Sequence, residues 1–345
     1  QTGAERFFKK ILISMPYFYK NEGFHRPPVS FLEKLKAYPF LPLKSKLKIN
    51  SFLKYVEKVS YREVESKWFY RPLRDLYDEF GFDEYARELF TDGFAAGYQT
   101  VTYEDKNSAG DLILCMKAFL KGIRRYRTPI FGAEYGVGKI AEAFKKVIEE
   151  NRGSVMLGKR VEKIKVKNGV VEGVDLDDGK FIKAKRVLLS APVYNLLNLV
   201  DNLPSDYAER LMEARKHATY LFLIYGGAKR PLLSKPIGTW VLIPKTEVRN
   251  INSYYLVYEV DTRMKQAPNN RYLVNFATMP KIEELKNRDT LMKKMEDDMS
   301  RVFPEFNFER DLEWKVGVYF PIVDALERTI DFYYEKRFGP ETPIK

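Results

Sequence analysis

From about residue 31 to residue 126 the apolar positions recur at helical spacing. Pro39, Pro42, Pro72, Gly81 and a loop from Gly93 to Gly97 divide them into segments near 50–57, 69–80, 83–91 and 108–125. The spacing predicts a helical layer. Residues 217–278 carry another pattern, with short aromatic and β-branched runs at Tyr220–Tyr225, Thr239–Ile243, Tyr254–Val260 and Tyr272–Thr278. Gly226-Gly227, Pro236, Pro244, Pro268 and Asn269-Asn270 separate these runs, which predicts an antiparallel sheet of about four strands. His217 is expected to open the first of them, helices are expected over 205–216 and near 282–301, and a strand over Leu312–Tyr319.

Between these regions, residues 129–194 change period several times. Pro129 through Gly138 leads into a helix with Ile140, Phe144, Val147 and Ile148 on one face, and Gly153 stands where a left-handed cap would end it. Val155-Met156-Leu157 follows as a short apolar run. Val161 to Val166, an Asn168-Gly169 turn, Val170 to Leu176, an Asp178-Gly179 turn and Lys180 to Ile182 then predict a small β-meander. Arg186-Val187-Leu188-Leu189-Ser190 reads as a strand buried on both faces, broken at Ala191-Pro192. Open α/β sheets bind ligands at the carboxyl ends of their strands, so Ser190-Ala191-Pro192 is a candidate ligand rim. The alternation of blocks predicts an α/β protein whose second part is α+β, one domain leaving its sheet to visit another and returning.

Composition narrows the classes. At 345 residues the chain can build two cores; 45% hydrophobic and 31% charged residues mark it as globular, and no apolar run reaches the ~20 residues of a membrane span. Cys115 stands among Leu112, Ile113, Leu114 and Met116, as expected of a small core residue in a reducing cytoplasm. Abundant Lys, Arg and Glu beside 2 His and 1 Cys suggest work at high temperature. The net charge of +12 is spread thinly, which argues against a nucleic-acid partner. Its one concentration is 31–58, where Lys34, Lys36, Lys44, Lys46, Lys48, Lys54 and Lys58 interleave with Phe31, Leu35, Phe40, Leu41, Leu47, Phe52 and Leu53. That stretch suits either a helix pair with a solvated lysine face or peripheral contact with an anionic membrane. Gln1 at one end and Pro340 to Lys345 at the other lack the character of natural termini, so the chain reads as a piece of a larger protein.

Gly136-Val137-Gly138-Lys139-Ile140-Ala141 matches the dinucleotide pattern G-x-G-x-x-G/A. That pattern needs a strand running straight into its first glycine, and Pro129 and Glu134-Tyr135 occupy that place, so a flexed helix entry is expected instead. His25 and His217 have no Cys or His at metal-ligand spacing, and packing or surface roles are expected of both.

Taken in order, Pro129–Gly138, the "V-x-x-I" of Arg160-Val161-Glu162-Lys163-Ile164, Gly173 to Gly179, and Val187 to Pro192 resemble the FAD-dependent phytoene desaturase and amine oxidase group of flavoproteins. The resemblance covers about 65 residues, and Phe338 to Ile344 is similar to the lead-in to that group's C-terminal flavin segment. It implies a partial FAD-binding domain at 129–194 and 316–345, and a substrate domain of helical cap and antiparallel sheet at 1–128 and 195–315. It further implies that the Val161 main chain meets the adenine of FAD, with Ser190, Ala191 and Pro192 nearby and Tyr319 near the isoalloxazine. Tyr225, Trp240 and Tyr255 would line the substrate pocket. The function implied is oxidation or desaturation of an apolar, isoprenoid-like substrate; a non-catalytic prenyl or lipid escort of the same architecture is the alternative. The group's N-terminal Gly-rich unit and C-terminal Gly-Asp segment have no counterpart here, so these 345 residues alone are expected not to retain FAD tightly.

Overall fold

The computed structural model describes residues 2–28, 38–96, 103–126, 130–217, 219–320 and 329–330. Phe31, Lys34, Leu35 and Lys36, the 338–344 tail and Pro129 lie outside the described residues.

The chain opens with β1 (Lys10–Leu12), β2 (Tyr17–Lys20) and β3 (Gly23–His25), strands too short to show in the periodicity. The helical layer follows: α1 (Leu43–Lys58), α2 (Tyr61–Lys67), α3 (Leu73–Phe80), α4 (Glu84–Glu88) and α5 (Ala109–Tyr126). The expected 69–80 helix is two elements. α2 starts at Ser60, whose Oγ accepts from the Glu63 N–H in an S-x-x-E cap, and Pro72 opens α3. α3 ends at Gly81, whose φ of 63° is left-handed. The expected loop at Gly93 is instead a π-helical continuation of α4 over Leu89–Ala95. Phe52, Val56, Trp68, Leu76, Tyr77, Phe90 and Leu112 fill the core of this layer.

β4 (Phe131–Ala133) pairs antiparallel with β1, so a strand does precede Gly136, contrary to the sequence expectation. It belongs to a two-stranded ribbon, and the left-handed Tyr135 and Gly136 intervene before α6 (Gly138–Glu150). The meander forms as predicted: β5 (Val161–Lys167), β6 (Val170–Leu176) and β7 (Phe181–Lys183), with Asn168 and Gly169 both at positive φ in the hairpin turn. Val155-Met156-Leu157 forms no strand, and Leu157 is largely exposed. Arg186 to Ser190 forms none either, and Leu188 is 95% exposed. An apolar run becomes a buried strand only where neighbours satisfy its main chain, and among the described residues none lies beside it.

α7 (Ser205–Lys216) ends at His217, which caps the helix rather than opening a strand. The sheet strands are β8 (Leu221–Ala228), β9 (Trp240–Ile243), β10 (Tyr255–Glu259) and β11 (Tyr272–Thr278). α8 (Arg288–Val302) starts later than expected because Asn287 caps it on the Thr290 N–H, and β12 (Leu312–Phe320) closes the series. The expected four-stranded sheet has seven strands in the order β12-β8-β11-β10-β9-β2-β3, antiparallel except for β2 beside β9. The domain boundary expected at 315/316 falls inside β12.

Strand alternation gives this sheet two faces. On one, Phe222, Ile224, Val274, Phe276, Tyr255, Val257, Val241 and Ile243 pack against Leu291, Met295, Met299 and Val302 of α8. At its centre Asp298 accepts from the N–H groups of Arg249 (3.1 Å), Asn250 (3.0 Å) and Ile251 (3.2 Å) and from Tyr255 Oη (3.0 Å). The other face, here the cap face, meets the helical layer where Phe18 and Leu242 contact Leu41 and Leu89. It meets the ribbon where Tyr258 and Trp240 contact Ile11 and Ile13.

Candidate functional site

The pairing registers set the cap-face residues in rows across the strands. One row runs Trp240, Tyr258, Asn275, Tyr225, Val316 over β9, β10, β11, β8 and β12. The next runs Leu242, Leu256, Ala277, Leu223, Val318. Trp240 stacks on Tyr258 at 4.2 Å, while Trp314, Val316 and Phe320 of β12 are exposed. The result is an aromatic and aliphatic floor with one polar side chain in it.

The structure therefore brings Tyr225 and Trp240 onto one face and one row. Tyr255 lies on the opposite face, fully buried against α8, and its hydroxyl is pushed well above the usual phenol range by burial and by Asp298. Tyr319 pairs with Phe222 and also projects on the α8 side, stacked on Tyr220 with the Arg288 guanidinium 4.9 Å from its ring. His25 takes a packing position, its ring 5.0 Å from that of Phe40, and Cys115 is half-buried.

Two polar residues that sequence reasoning missed stand at this face. Asn275 is 7% exposed and its Oδ1 lacks a hydrogen-bond partner among the described residues. Its signal was visible, an amide in the middle of the apolar run Tyr272–Thr278. Asp92, in the π-helical turn, is 5% exposed and its Oδ1 is also unpartnered among the described residues. Burial, reinforced by Glu88, pushes its carboxyl up to about 6 against the pull of Lys245 and Lys20. Beside it Gly93 lies so near the Phe18 ring that a Cβ would come within 3.0 Å, which puts this turn on the sheet. Lys20 ties the same junction together through Glu88 (2.8 Å) and Glu247 (2.9 Å). π-turns recur at functional sites, and the buried carboxylate here has that setting.

The meander carries the second candidate feature. β5 is an edge strand of its sheet, and the Arg160 carbonyl accepts from the Asp177 N–H at 2.9 Å, so it faces β6. Main-chain groups of successive strand residues point to opposite sides, so the N–H and C=O of Val161 face the open edge. Val161 is itself 37% exposed. One donor and one acceptor on a single residue match the hydrogen-bonding edge of adenine, and in this respect the residues fit FAD. Ser190 and Ala191 are exposed and Pro192 is half-buried at the start of a short turn. The chain beyond them returns to β5, where Leu196–Leu199 packs and Asp201 meets Lys163 at 2.6 Å. The Gly136–Gly138 entry fits a phosphate poorly: α6 has no side-chain cap, and Val137 before it is 71% exposed. Among the described residues there is no cluster of His, Cys, Asp and Glu that could hold a metal, and no helix is long and apolar enough to cross a membrane.

Comparison with known proteins agrees with this architecture. The chain is 26% identical to Rab GDP dissociation inhibitor beta of Rattus norvegicus over 192 residues, 54% of this chain and 42% of that protein. It is 33% identical to the phytoene desaturase (neurosporene-forming) of Cereibacter sphaeroides over 104 residues, 29% of this chain and 20% of that protein. The matched stretches thus span less than half the length of either relative. Among solved structures, an oxidoreductase from Methanosarcina mazei superposes with a TM-score of 0.72 at 20% identity, over 98% of this chain and 75% of that one. The fold is that of the FAD-dependent oxidoreductases, and homology to phytoene desaturases accompanies it, as the motifs around Val161 implied. The family model for GDP dissociation inhibitors matches residues 1–201, more than half of the chain, which therefore belongs to the GDP dissociation inhibitor family.

Proposed function

We propose that this protein is an FAD-dependent oxidoreductase that desaturates or oxidises an apolar, isoprenoid-like substrate lying on the cap face of the seven-stranded sheet. The observation that carries the reading is the outward-facing main chain of Val161, on a strand edge unpaired among the described residues, with the Ser190-Ala191-Pro192 turn following the same meander. Val161 would hold the adenine, with Ser190, Ala191 and Pro192 as its rim. FAD, when bound, supplies a two-electron hydride acceptor. The protein's own residues supply shape. Tyr225, Trp240, Leu223 and Leu242 present an apolar surface that orients a hydrocarbon chain and excludes water. Tyr319, stacked on the α8 side, would support the floor from behind rather than touch the flavin.

The membrane reading of 31–58 belongs to the same proposal. In α1, Leu43 and Leu47 are 65% and 63% exposed, and Lys44 and Lys48 are exposed beside them, one turn apart. A basic, apolar stripe of this kind suits extraction of substrate from an anionic bilayer.

A second reading, a non-catalytic escort for prenyl groups or lipids, is favoured by the family match over residues 1–201. One experiment separates the two. Protein kept in added FAD is mixed anaerobically with a long-chain prenyl substrate presented in anionic or neutral vesicles. The expected result is bleaching of the flavin, faster with anionic vesicles and slowed by salt. Binding without bleaching for every prenyl substrate would favour the escort.

A further inference from the structure

Over β8 to β12 the two rows of the cap face are aromatic and aliphatic except at one amide. Asn275 stands there between Tyr258 and Tyr225, 7% exposed, with a buried Oδ1 that has no partner among the described residues. Its row neighbour Tyr258 cannot serve it, because the Tyr258 hydroxyl is directed to Met264 Sδ at 3.3 Å. A buried amide oxygen left without a donor destabilises a fold, and a leucine of similar shape would avoid that cost. Packing therefore gives no reason for an amide in this strand. In the π-helical turn packed on β2 and β9, the Oδ1 of Asp92 is buried and unpartnered among the described residues as well.

We propose that Asn275 is the polar anchor of the ligand floor, its Oδ1 accepting a hydrogen bond from a hydroxyl or protonated amine at the head of an otherwise apolar ligand. The tail of that ligand lies over β8 and β12, where Leu223, Tyr225, Val316 and Phe320 continue the apolar surface. The inference rests on the reading of the cap face as a ligand floor and adds the ligand's chemistry: a donor-bearing prenyl chain is preferred to a bare hydrocarbon. Sites built to hydrogen-bond a group discriminate strongly against analogues that lack it, because the buried partner is then left unpaired.

The test needs neither flavin nor turnover. Binding of geranylgeraniol, geranylgeranylamine and the methyl ether of geranylgeraniol is followed by tryptophan fluorescence, Trp240 being on the same row. The alcohol and the amine are expected to bind about tenfold or more tighter than the ether, which has the same chain and no donor. Asn275→Leu is expected to bind all three alike and to melt at a higher temperature. Should that variant misfold, Asn275→Asp keeps an acceptor and is expected to favour the amine over the alcohol. Equal binding of alcohol and ether by the unaltered protein, or discrimination that survives in Asn275→Leu, overturns the role of Asn275 while leaving the floor in place. Failure of all three to bind overturns the floor itself, and the anchor with it.

Discussion

Replacing Asp298 by Ala is expected to cost about 3–5 kcal/mol of folding stability, the largest loss of any single substitution considered. The carboxylate sits in the middle of α8, 1% exposed, and is the shared acceptor for three consecutive main-chain N–H groups and the Tyr255 hydroxyl. Alanine leaves these four donors and the Asn250 side-chain amide without their acceptor, the Ile251 N–H and Tyr255 hydroxyl among them buried, and each unmade bond adds to the cost of the cavity. Against a domain stability of about 5–15 kcal/mol this is about a fifth or more of the whole. Tyr255→Phe removes one donor and one bond together, so its cost is expected to be only about 1 kcal/mol. Urea unfolding of the two variants checks the difference; similar midpoints would show that Asp298 is not the hub of the 249–251 turn.

Asp92→Asn is expected to act in the opposite direction. Burial pushes the Asp92 carboxyl up to about 6 in the folded protein, above the ordinary aspartate value of about 3.9. A raised pKa means that burial favours the protonated acid. Its favourable contribution is full below pH ~4 and is lost as pH rises through the folded pKa near 6, where the native state must ionise it. Asparagine stays neutral at every pH. The variant is therefore expected to be more stable than the unaltered protein by about 2–3 kcal/mol at pH 8 and no more stable at pH 4. Thermal unfolding at the two pH values reads this directly. Destabilisation at pH 8 would mean that Lys20 and Lys245 outweigh burial and that the carboxylate is held as an anion. A stability gain from removing the charge is the signature of a residue retained for binding rather than folding.

The elements most legible in the sequence were those whose own residues specify them. β8 to β11 are aromatic and β-branched runs closed by Gly and Pro, and the 168–169 turn carries Asn-Gly where two left-handed residues are required. What failed to show depends on partners distant in the chain. β1 and β4 are three-residue strands that exist because Ile11 meets Gly132, and no local pattern carries that pairing. Arg186 to Ser190 erred in the other direction: its apolar composition states a preference for burial, and burial needs neighbours that composition does not supply. At the site, Trp240, Tyr225 and Tyr255 stood out as strand aromatics, but the face each residue takes is settled by register. Tyr255 and Tyr258 are three apart on one strand and must oppose each other, so only Tyr258 joins the cap face. The S-x-x-E cap at Ser60 and the amide at Asn275 were both in plain view as local signals.

The central claim is that the main chain of Val161 holds the adenine of FAD, and it is tested by comparing FAD affinity in Val161→Ala and Val161→Pro. The Val161 N–H faces away from β6, so an edge-strand proline removes the donor without breaking the meander. Alanine is expected to leave the affinity within about twofold, because only packing changes. Proline is expected to weaken it about tenfold, the equivalent of one hydrogen bond. Equal FAD affinity for all three proteins would contradict the assignment.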